Sequence, residues 1–362
     1  MSVIIFLLVL FVLILVHEWG HFITAKKTGM RVDEFAIGFP PRLFVIKRGE
    51  TEYTFNLLPI GGFVRIFGEN PETAEDTADQ PRSFSARPYW AQALVLVAGV
   101  TMNVLFAWLL FVTTFMIGVP TAVDEAVAGQ EAKLYISDVL SSSPLNETIR
   151  PGSLVTALEA EDGKVETLTP TTFKNFIEEH EGEPVTISYS HAGEDREVII
   201  EPEAGLLDND PDRVAVGVAL TLVETQKQSF FPAIASGFEA TIYGLKNISI
   251  GLYTLLSDAV VGEADFSQVA GPIGIVGLVG EAAGYGLTTL LTFTAMISLN
   301  LAIINMLPIP ALDGGRLVFV AIEAITRKPI NVAWVGRLNL IGFALLMVLM
   351  VVVTWNDIAR LL

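Results

Sequence analysis

The sequence predicts an α-helical polytopic membrane protein with about four transmembrane helices, a membrane-associated β-hairpin and one inserted α+β domain. Composition is the first reason: 52% of the 362 residues are hydrophobic and 17% are charged, whereas soluble domains have roughly 25% charged residues. The second is that four apolar runs are long enough to span a bilayer, near residues 3–24, 90–118, 288–307 and 331–354. The third is that residues 131–204 are polar, with short alternating runs between turn residues.

The charges predict how the chain is oriented in the membrane. Residues 25–88 carry nine Lys/Arg and nine Asp/Glu, whereas residues 119–270 carry eight Lys/Arg and 26 Asp/Glu. Because Lys and Arg near span ends stay in the cytoplasm, we expect the first loop inside and the acidic section outside the inner (plasma) membrane. The net charge of −18 argues against nucleic acid as a partner. The absence of cysteine excludes disulfides and thiolate metal sites.

A signal peptide is the competing interpretation of the first apolar run. It would require a basic region at its start and a cleavage site of small residues. The run begins Met-Ser-Val-Ile-Ile and ends in His-Glu-Trp-Gly-His. We therefore expect a retained span with its N-terminus outside.

The first span ends in a pattern that suits a metal, His17-Glu18-Trp19-Gly20-His21. Residues four apart lie on one face of a helix, so the two imidazoles point at the same spot. This arrangement suits two zinc ligands, with Glu18 as the general base for an attacking water. Ionisable groups in an apolar helix are costly unless they serve a site. The alternatives are a polar cap at the membrane interface and a chance match.

The rest of the N-terminal membrane half, residues 1–130, contains a hairpin and a second span. Residues 32–68 combine β-prone runs with Gly and Pro, which predicts strands that dip into the membrane against protein. A plain cytosolic hairpin is the alternative, and residues 69–88 are expected to be a solvated loop. In the second span, 89–118, small residues favour close helix packing, and we interpret Asn103 as an interhelical hydrogen-bonding group.

The predicted exported domain comprises residues 131–204, and a predicted helical connector, residues 205–287, follows it. Turn residues separate short strands in the domain, and His180 and His191 are expected to be solvated rather than metal-bound. The connector is amphipathic, and its residues 228–262 either span the membrane or lie on it. If they crossed, Asp313 would lie on the opposite side from His17, so we place them on or partly in the outer leaflet.

The C-terminal membrane half, residues 288–362, contains a second motif that runs from Asn305 to Gly315. Two prolines and two glycines break the helix there at membrane depth. Asp313 is then at the level of the histidines, and three ligands with one open position are the pattern of catalytic zinc. Two histidines and a carboxylate make Zn²⁺ the first choice of metal, and the set predicts metal-assisted hydrolysis. A helix-stop turn is the alternative for Asp313.

These two motifs closely resemble those of the site-2 protease family of intramembrane zinc metalloproteases, in its RseP-type (regulator of sigma-E protease) group. The matching patterns are His17-Glu18-x-x-His21 and Asn305-x-x-Pro308-x-Pro310-x-x-Asp313-Gly314. Residues 271–274, residues 298–301 and Gly61-Gly62 also look like the group. Residues 131–204 resemble one PDZ domain, so the resemblance covers nearly the whole chain.

The resemblance implies a role for each motif residue. Glu18 would be the catalytic base, and His17, His21 and Asp313 would hold Zn²⁺. Asn305 would bind the substrate backbone or the developing oxyanion. The strands near 52–66, with Gly61 and Gly62, would be a substrate-binding hairpin to whose edge an unwound substrate adds as a strand.

The implied function is hydrolysis of a peptide bond in transmembrane segments of single-pass membrane proteins. Anti-sigma-factor-like proteins and remnant signal peptides are the expected substrates, and the PDZ-like domain would exclude bulky ectodomains. The alternative is a catalytically silent membrane scaffold that binds partners through that domain, although such a protein should have lost Glu18 or a ligand. A metal transporter should instead carry ionisable residues along several spans.

Three departures from the family pattern qualify this interpretation. Only one PDZ-like unit fits the length, where some relatives have two. Ser153 stands where the PDZ turn usually has Asp, which puts peptide binding there in question. Val100 replaces the proline expected between Gly99 and Asn103, so no catalytic role is assigned to Asn103.

Overall fold

The computed structural model describes residues 1–69, 79–129, 131–191, 193–206, 213–262 and 270–361. These residues belong to two compact units. The helical unit comprises Met1–Thr113 and Phe230–Leu362, and the sheet unit comprises Thr114–Ser229.

The helices are α1 (Ser2–Lys27), α2 (Tyr89–Ile117), α3 (Pro170–Glu179), α4 (Phe230–Val261), α5 (Pro272–Gly284), α6 (Leu287–Met306), α7 (Asp313–Thr326) and α8 (Val332–Leu361). The strands are β1 (Val32–Arg48), β2 (Thr51–Ile66), β3 (Val119–Val123), β4 (Lys133–Val139), β5 (Ser153–Ala160), β6 (Gly163–Lys164), β7 (Val185–His191), β8 (Glu194–Ile200) and β9 (Val218–Gln226).

Four of the described helices are long and apolar enough to cross a membrane, as the sequence predicts. They are α1, α2, α6 and the Ala333–Arg360 part of α8. The 32-residue α4 is not among them, because polar and charged side chains such as Glu239, Lys246 and Asp258 interrupt its apolar residues. Its position in the outer leaflet stays a prediction.

Strands β1 and β2 form a small folded-over sheet at the end of α1. Its four segments lie in the order 42–48, 51–56, 32–37 and 62–66. Gly61 adopts a φ of 102° between two of these segments, a left-handed conformation that favours glycine. Phe35 is buried against Phe22 of α1, with ring centroids 5.1 Å apart. Burying one such ring contributes about 1.5–3 kcal/mol, so the sheet is fixed to the helix that carries the histidines.

A charged cluster closes the turn between β1 and β2. Glu50 accepts hydrogen bonds from Arg82 at 2.8 and 2.9 Å and from Lys26 at 2.9 Å. The Arg82 guanidinium and the Lys26 ammonium together lower the pKa of the Glu50 carboxyl to about 2. The loop predicted for 69–88 is less solvated than expected where it is described, because Ser83 and Phe84 are buried. Residues 70–78 lie outside the described part.

The motif at residues 271–274 forms the start of α5. The first helical amides lack partners within a helix, and here the Asp357 carboxylate of α8 accepts hydrogen bonds from the Gly271 and Gly274 amides at 3.0 and 2.8 Å. A Cβ on Gly271 would lie 2.5 Å from the Asp357 carboxylate oxygen. The contact therefore requires glycine and joins the last helix to α5.

The sheet unit is an antiparallel sheet with one described helix against it. Its strand order is β3-β9-β4-β5-β7-β8, and β6 pairs with β5. Thr169 caps α3 by accepting a hydrogen bond from the Thr172 amide, an interaction that stabilises a helix by about 1 kcal/mol. Phe173 and Ile177 of α3 are buried in the core of the unit. A cavity of about 480 Å³ lies between α3 and β9.

The sheet unit corrects two expectations. It extends beyond residues 131–204 at both ends, since β9, which we assigned to the connector 205–287, pairs with both β3 and β4. His180 is buried rather than solvated. Its Nδ1 lies 2.7 Å from the Phe176 carbonyl oxygen and its Nε2 lies 2.8 Å from Asp162. His191 lies 3.1 Å from the Ser153 hydroxyl.

Candidate metal centre and active site

Helix α1 presents the three residues of the first motif. It forms because residues 3–16 are uninterrupted apolar residues, and Lys26 and Lys27 follow in its last turn. His17 and His21 are one turn apart, each is only 8% exposed, and their ring centroids are 4.7 Å apart. The helical spacing therefore brings both imidazoles to one face, as predicted.

Asp313 reaches the histidines from the first turn of α7. Helix α6 ends at Met306, and the chain turns through residues 307–312 before α7 begins. A Cβ on Gly314 would overlap the carbonyl groups of Met306 and Leu307, and one on Gly315 would overlap the carbonyl group of Ile309. The two glycines let α7 start immediately against this turn, so the Asp-Gly-Gly sequence begins a helix instead of ending one.

Three side-chain atoms that could bind a metal converge at this point. His17 Nε2 lies 3.1 Å from His21 Nε2 and 3.1 Å from Asp313 Oδ2. The His21 Nε2 to Asp313 Oδ2 distance is 3.4 Å. Behind His21, Nδ1 lies 2.8 Å from the Val95 carbonyl oxygen. A carbonyl only accepts, so the proton is on Nδ1 and the Nε2 of His21 offers a lone pair.

This arrangement fits a zinc ion. Zinc ligands about 2.0–2.1 Å from the metal in a tetrahedron are about 3.3 Å from one another, which agrees with the observed 3.1–3.4 Å. Asp313 Oδ2 is buried and makes no hydrogen bond, so a cation is the partner that would satisfy it. Within the described part of the chain, no other group of three His, Asp or Glu side chains has this geometry.

Glu18 lies beside the cluster, between two cavities. A cavity of about 200 Å³ is lined by His17, Glu18, Asn305 and Asp313. A second cavity, of about 190 Å³, is lined by His17, Glu18 and Asp313 together with residues of β2. The Glu18 side chain borders both cavities, and in the second it lies with Val64 of β2 in the cavity wall. It can therefore reach a water or a peptide group that enters on either side.

The predicted substrate-binding residues are placed at different distances from the cluster. Asn305 lines the first cavity. Gly62 lies against Glu18, because a Cβ built on it would be 3.8 Å from Glu18 Cγ. Gly61 is buried, and its α-carbon packs on the Phe39 ring rather than on the cavity wall.

Helix α2 contributes contacts that the sequence reasoning did not assign. A Cβ on Gly99 would lie 2.7 Å from His21 Cε1 and 2.8 Å from His17 Cε1. Asn103 is completely buried, and its Nδ2 lies 3.3 Å from His17 Nδ1. The Ser298 hydroxyl of α6 donates to the Asn103 carbonyl at 2.8 Å. The small-residue stretch 97–103 was the available signal, and it indicated close packing without indicating what packs there.

Comparison with known proteins gives the family. The model of peptidase family M50 matches residues 5–349. The chain belongs to peptidase family M50. Among M50 relatives, a Clostridium perfringens chain named as a zinc metalloprotease is 37% identical over 360 residues, covering 99% of this chain and 98% of the relative. The regulator of sigma-W protease RasP of Bacillus subtilis is 29% identical over 437 aligned residues, covering 99% of each chain.

Membership in M50, the family of the site-2 proteases, makes the chain a membrane-bound zinc metalloprotease. The silent-scaffold alternative is set aside, because the ligand set and Glu18 are all present and adjacent. A solved PDZ domain of an SdrC-like protein from Listeria monocytogenes is similar to 26% of this M50 chain and 90% of its own, with a TM-score of 0.21 and 18% identity. The PDZ assignment of residues 131–204 stays a prediction.

Proposed function

We propose that this chain is an intramembrane endopeptidase that hydrolyses a peptide bond in the transmembrane segments of single-pass membrane proteins. The observation that carries the proposal is the position of the ligand cluster. Two of the proposed ligands and Glu18 belong to α1, which has the highest mean hydropathy of the four described candidate spans. A soluble substrate would not have ready access to a site within such a helix, whereas a transmembrane segment can reach it by lateral diffusion in the bilayer.

Each residue of the proposed site has a separate task. His17, His21 and Asp313 would hold the zinc, which supplies Lewis-acid polarisation of the scissile carbonyl when bound. Glu18 takes the proton of the attacking water and delivers it to the leaving amine, because it borders both cavities. Asn305 donates its amide N–H to the substrate carbonyl oxygen as negative charge develops on that oxygen.

The open edge of the small sheet is the proposed substrate platform. In the described residues no strand pairs with the outer edge of residues 62–66. On this edge the Ile66 amide lies 3.4 Å from a Glu69 carboxylate oxygen. Amides held by carboxylates rather than by a strand are available to an incoming one. Strand addition also exposes the amide that a helical substrate would conceal.

Exposed apolar side chains support placing this sheet in the membrane. Phe44 and Phe55 stack with centroids 4.4 Å apart, and Leu43, Phe44 and Ile46 are each more than half exposed. Contiguous apolar surface of this kind marks a membrane or partner contact. The site would then be towards the cytoplasmic side, with the sheet unit outside the inner membrane, where it limits access by bulky ectodomains.

The test is cleavage of a tagged single-pass substrate by the full chain in reconstituted membranes, with bound zinc measured in parallel. We expect Glu18→Gln to keep zinc and to lose at least about 100-fold in rate, the usual contribution of a general base. Asp313→Ala should lose both zinc and cleavage. Glu239→Gln changes an exposed carboxylate of α4 and serves as the matched control.

The outcomes separate the parts of the proposal. Cleavage that persists in Glu18→Gln would refute the assignment of the base. Zinc that stays bound in Asp313→Ala would refute the ligand set. Cleavage of a soluble unfolded protein at the rate of the membrane substrate would refute the intramembrane assignment while leaving the metalloprotease chemistry intact.

A further inference from the structure

Asn103 is a polar side chain buried in the middle of an apolar spanning helix. It is 0% exposed, and an amide in such surroundings costs free energy unless it is hydrogen-bonded. Its backbone carbonyl already has a partner in the Ser298 hydroxyl. The backbone of Asn103 therefore contacts α6, and its side chain makes the interhelical contact predicted from the sequence, with His17 of α1.

The Asn103 side chain faces the back of a ligand. Its Nδ2 lies 3.3 Å from His17 Nδ1, whereas the other ring nitrogen of His17 faces Asp313 and His21. Asn103 Oδ1 is buried without a partner. An amide oxygen and nitrogen have nearly the same shape, so hydrogen bonding decides which of them faces the ring.

The neighbouring ligand shows which orientation a metal requires. A histidine that binds metal through Nε2 carries its proton on Nδ1 and donates it to an acceptor behind the ring. For His21 that acceptor is the Val95 carbonyl, 2.8 Å away. For His17 the only polar side-chain group at this position in the described chain is the Asn103 amide. With Oδ1 facing the ring, the orphaned acceptor receives the Nδ1 proton.

We propose that Asn103 is a positioning residue for the metal centre, whose Oδ1 accepts the His17 Nδ1–H and so fixes the tautomer and ring orientation of that ligand. The proposal rests on His17 being a zinc ligand in the proposed function. It assigns a role at the metal centre to a residue that the sequence analysis interpreted only as an interhelical hydrogen-bonding group. It also explains why a buried amide belongs on a helix that supplies no ligand.

The experiment measures zinc affinity of the purified full chain by competition with a chelator. Asn103→Leu keeps a similar shape and removes the acceptor, and we expect its zinc dissociation constant to rise about 10–100-fold, the usual effect of losing such a partner. Asn103→Asp keeps an acceptor and should stay within about threefold of the wild type. Asn300→Leu is the matched control, because Asn300 is exposed on α6 and donates to Met296 of its own helix.

A spectroscopic measurement separates positioning from folding. With Co²⁺ in place of zinc, Asn103→Leu should shift the d–d absorption bands, and Asn103→Asp should restore them. Unchanged zinc affinity and unchanged bands in Asn103→Leu would overturn the proposal, as would weaker binding in Asn103→Asp than in Asn103→Leu. If Asp313→Ala keeps its zinc, the ligand assignment itself fails, which is a different result.

Discussion

Gly99→Ala adds one methyl group against both histidines that we propose as ligands, which makes it a sharp test of the proposed metal centre. The new Cβ would lie 2.7 Å from His21 Cε1 and 2.8 Å from His17 Cε1, and closer still to His21 Nε2. Carbon atoms prefer separations of about 3.5–4.0 Å, so each ring would have to retreat by about 0.8 Å. Metal-ligand distances tolerate about 0.2 Å. The displacement is roughly four times that tolerance.

The expected loss of zinc affinity can be estimated from the free-energy cost of overpacking. Overpacking a well-packed core costs about 1–3 kcal/mol. The rings cannot retreat without losing the Val95 contact or the convergence on Asp313, so most of this cost falls on metal binding. At about 1.4 kcal/mol for each factor of ten, we expect zinc affinity to fall by about 5–100-fold and cleavage at limiting zinc to fall with it.

The assay is zinc competition on the purified full chain, with thermal unfolding as a second measurement. Gly336→Ala is the matched control, because Gly336 lies in the apolar span of α8 and a Cβ there meets nothing within 4 Å. Wild-type zinc affinity in Gly99→Ala would refute the reasoning. The reasoning would also be refuted if the variant lost zinc affinity only because less of the protein was folded, with the folded fraction binding zinc as the wild type does.

Two further predictions concern the sheet edge and the sheet unit. Val64→Pro removes an outward amide from an edge where proline is tolerated, and should lower cleavage at least about tenfold with zinc retained. Val64→Thr keeps the amide and should not lower cleavage. Equal cleavage rates in the two variants would argue against strand addition. Hydrogen bonding to Asp162 raises the pKa of His180, so this pair stabilises the sheet unit below the unfolded pKa of about 6.5 and loses its effect as pH rises through the raised value. Denaturation followed by a probe on α3 should show lower stability at about pH 9 than at about pH 6, and Asp162→Asn should reduce that difference; an unchanged difference would contradict the assignment.

The convergence of the three proposed metal ligands was predictable because their geometry is local or strongly restricted. His17 and His21 are set by helical spacing alone, and the structure brings them together as expected. To predict the position of Asp313, the direction of the spans was needed as well. Only a span that runs in the same direction as α1 can place Asp313 at the same membrane depth as the histidines. The prolines and glycines around Asp313 were a sufficient signal that the helix is broken there.

The contacts of α2 and β9 were not predictable, for a common physical reason. Gly99 and Asn103 acquire their roles only when α2 packs against α1, and nothing in their local sequence says which face meets which helix. Strand β9 pairs with β3 and β4, about 80–110 positions earlier in the chain. A period-two pattern shows that a strand exists without showing its neighbours.

Helix α2 contacts the proposed metal centre but gives it no ligand. Gly99 provides the space in which the two imidazoles lie, and the Val95 carbonyl fixes the tautomer of one of them. Asn103, by the proposal above, fixes the other. These three contributions lie on successive turns of one helix, so a small axial shift of α2 would disturb all of them together. Zinc affinity should therefore respond to substitutions along this face of α2 even when both ligand motifs are intact.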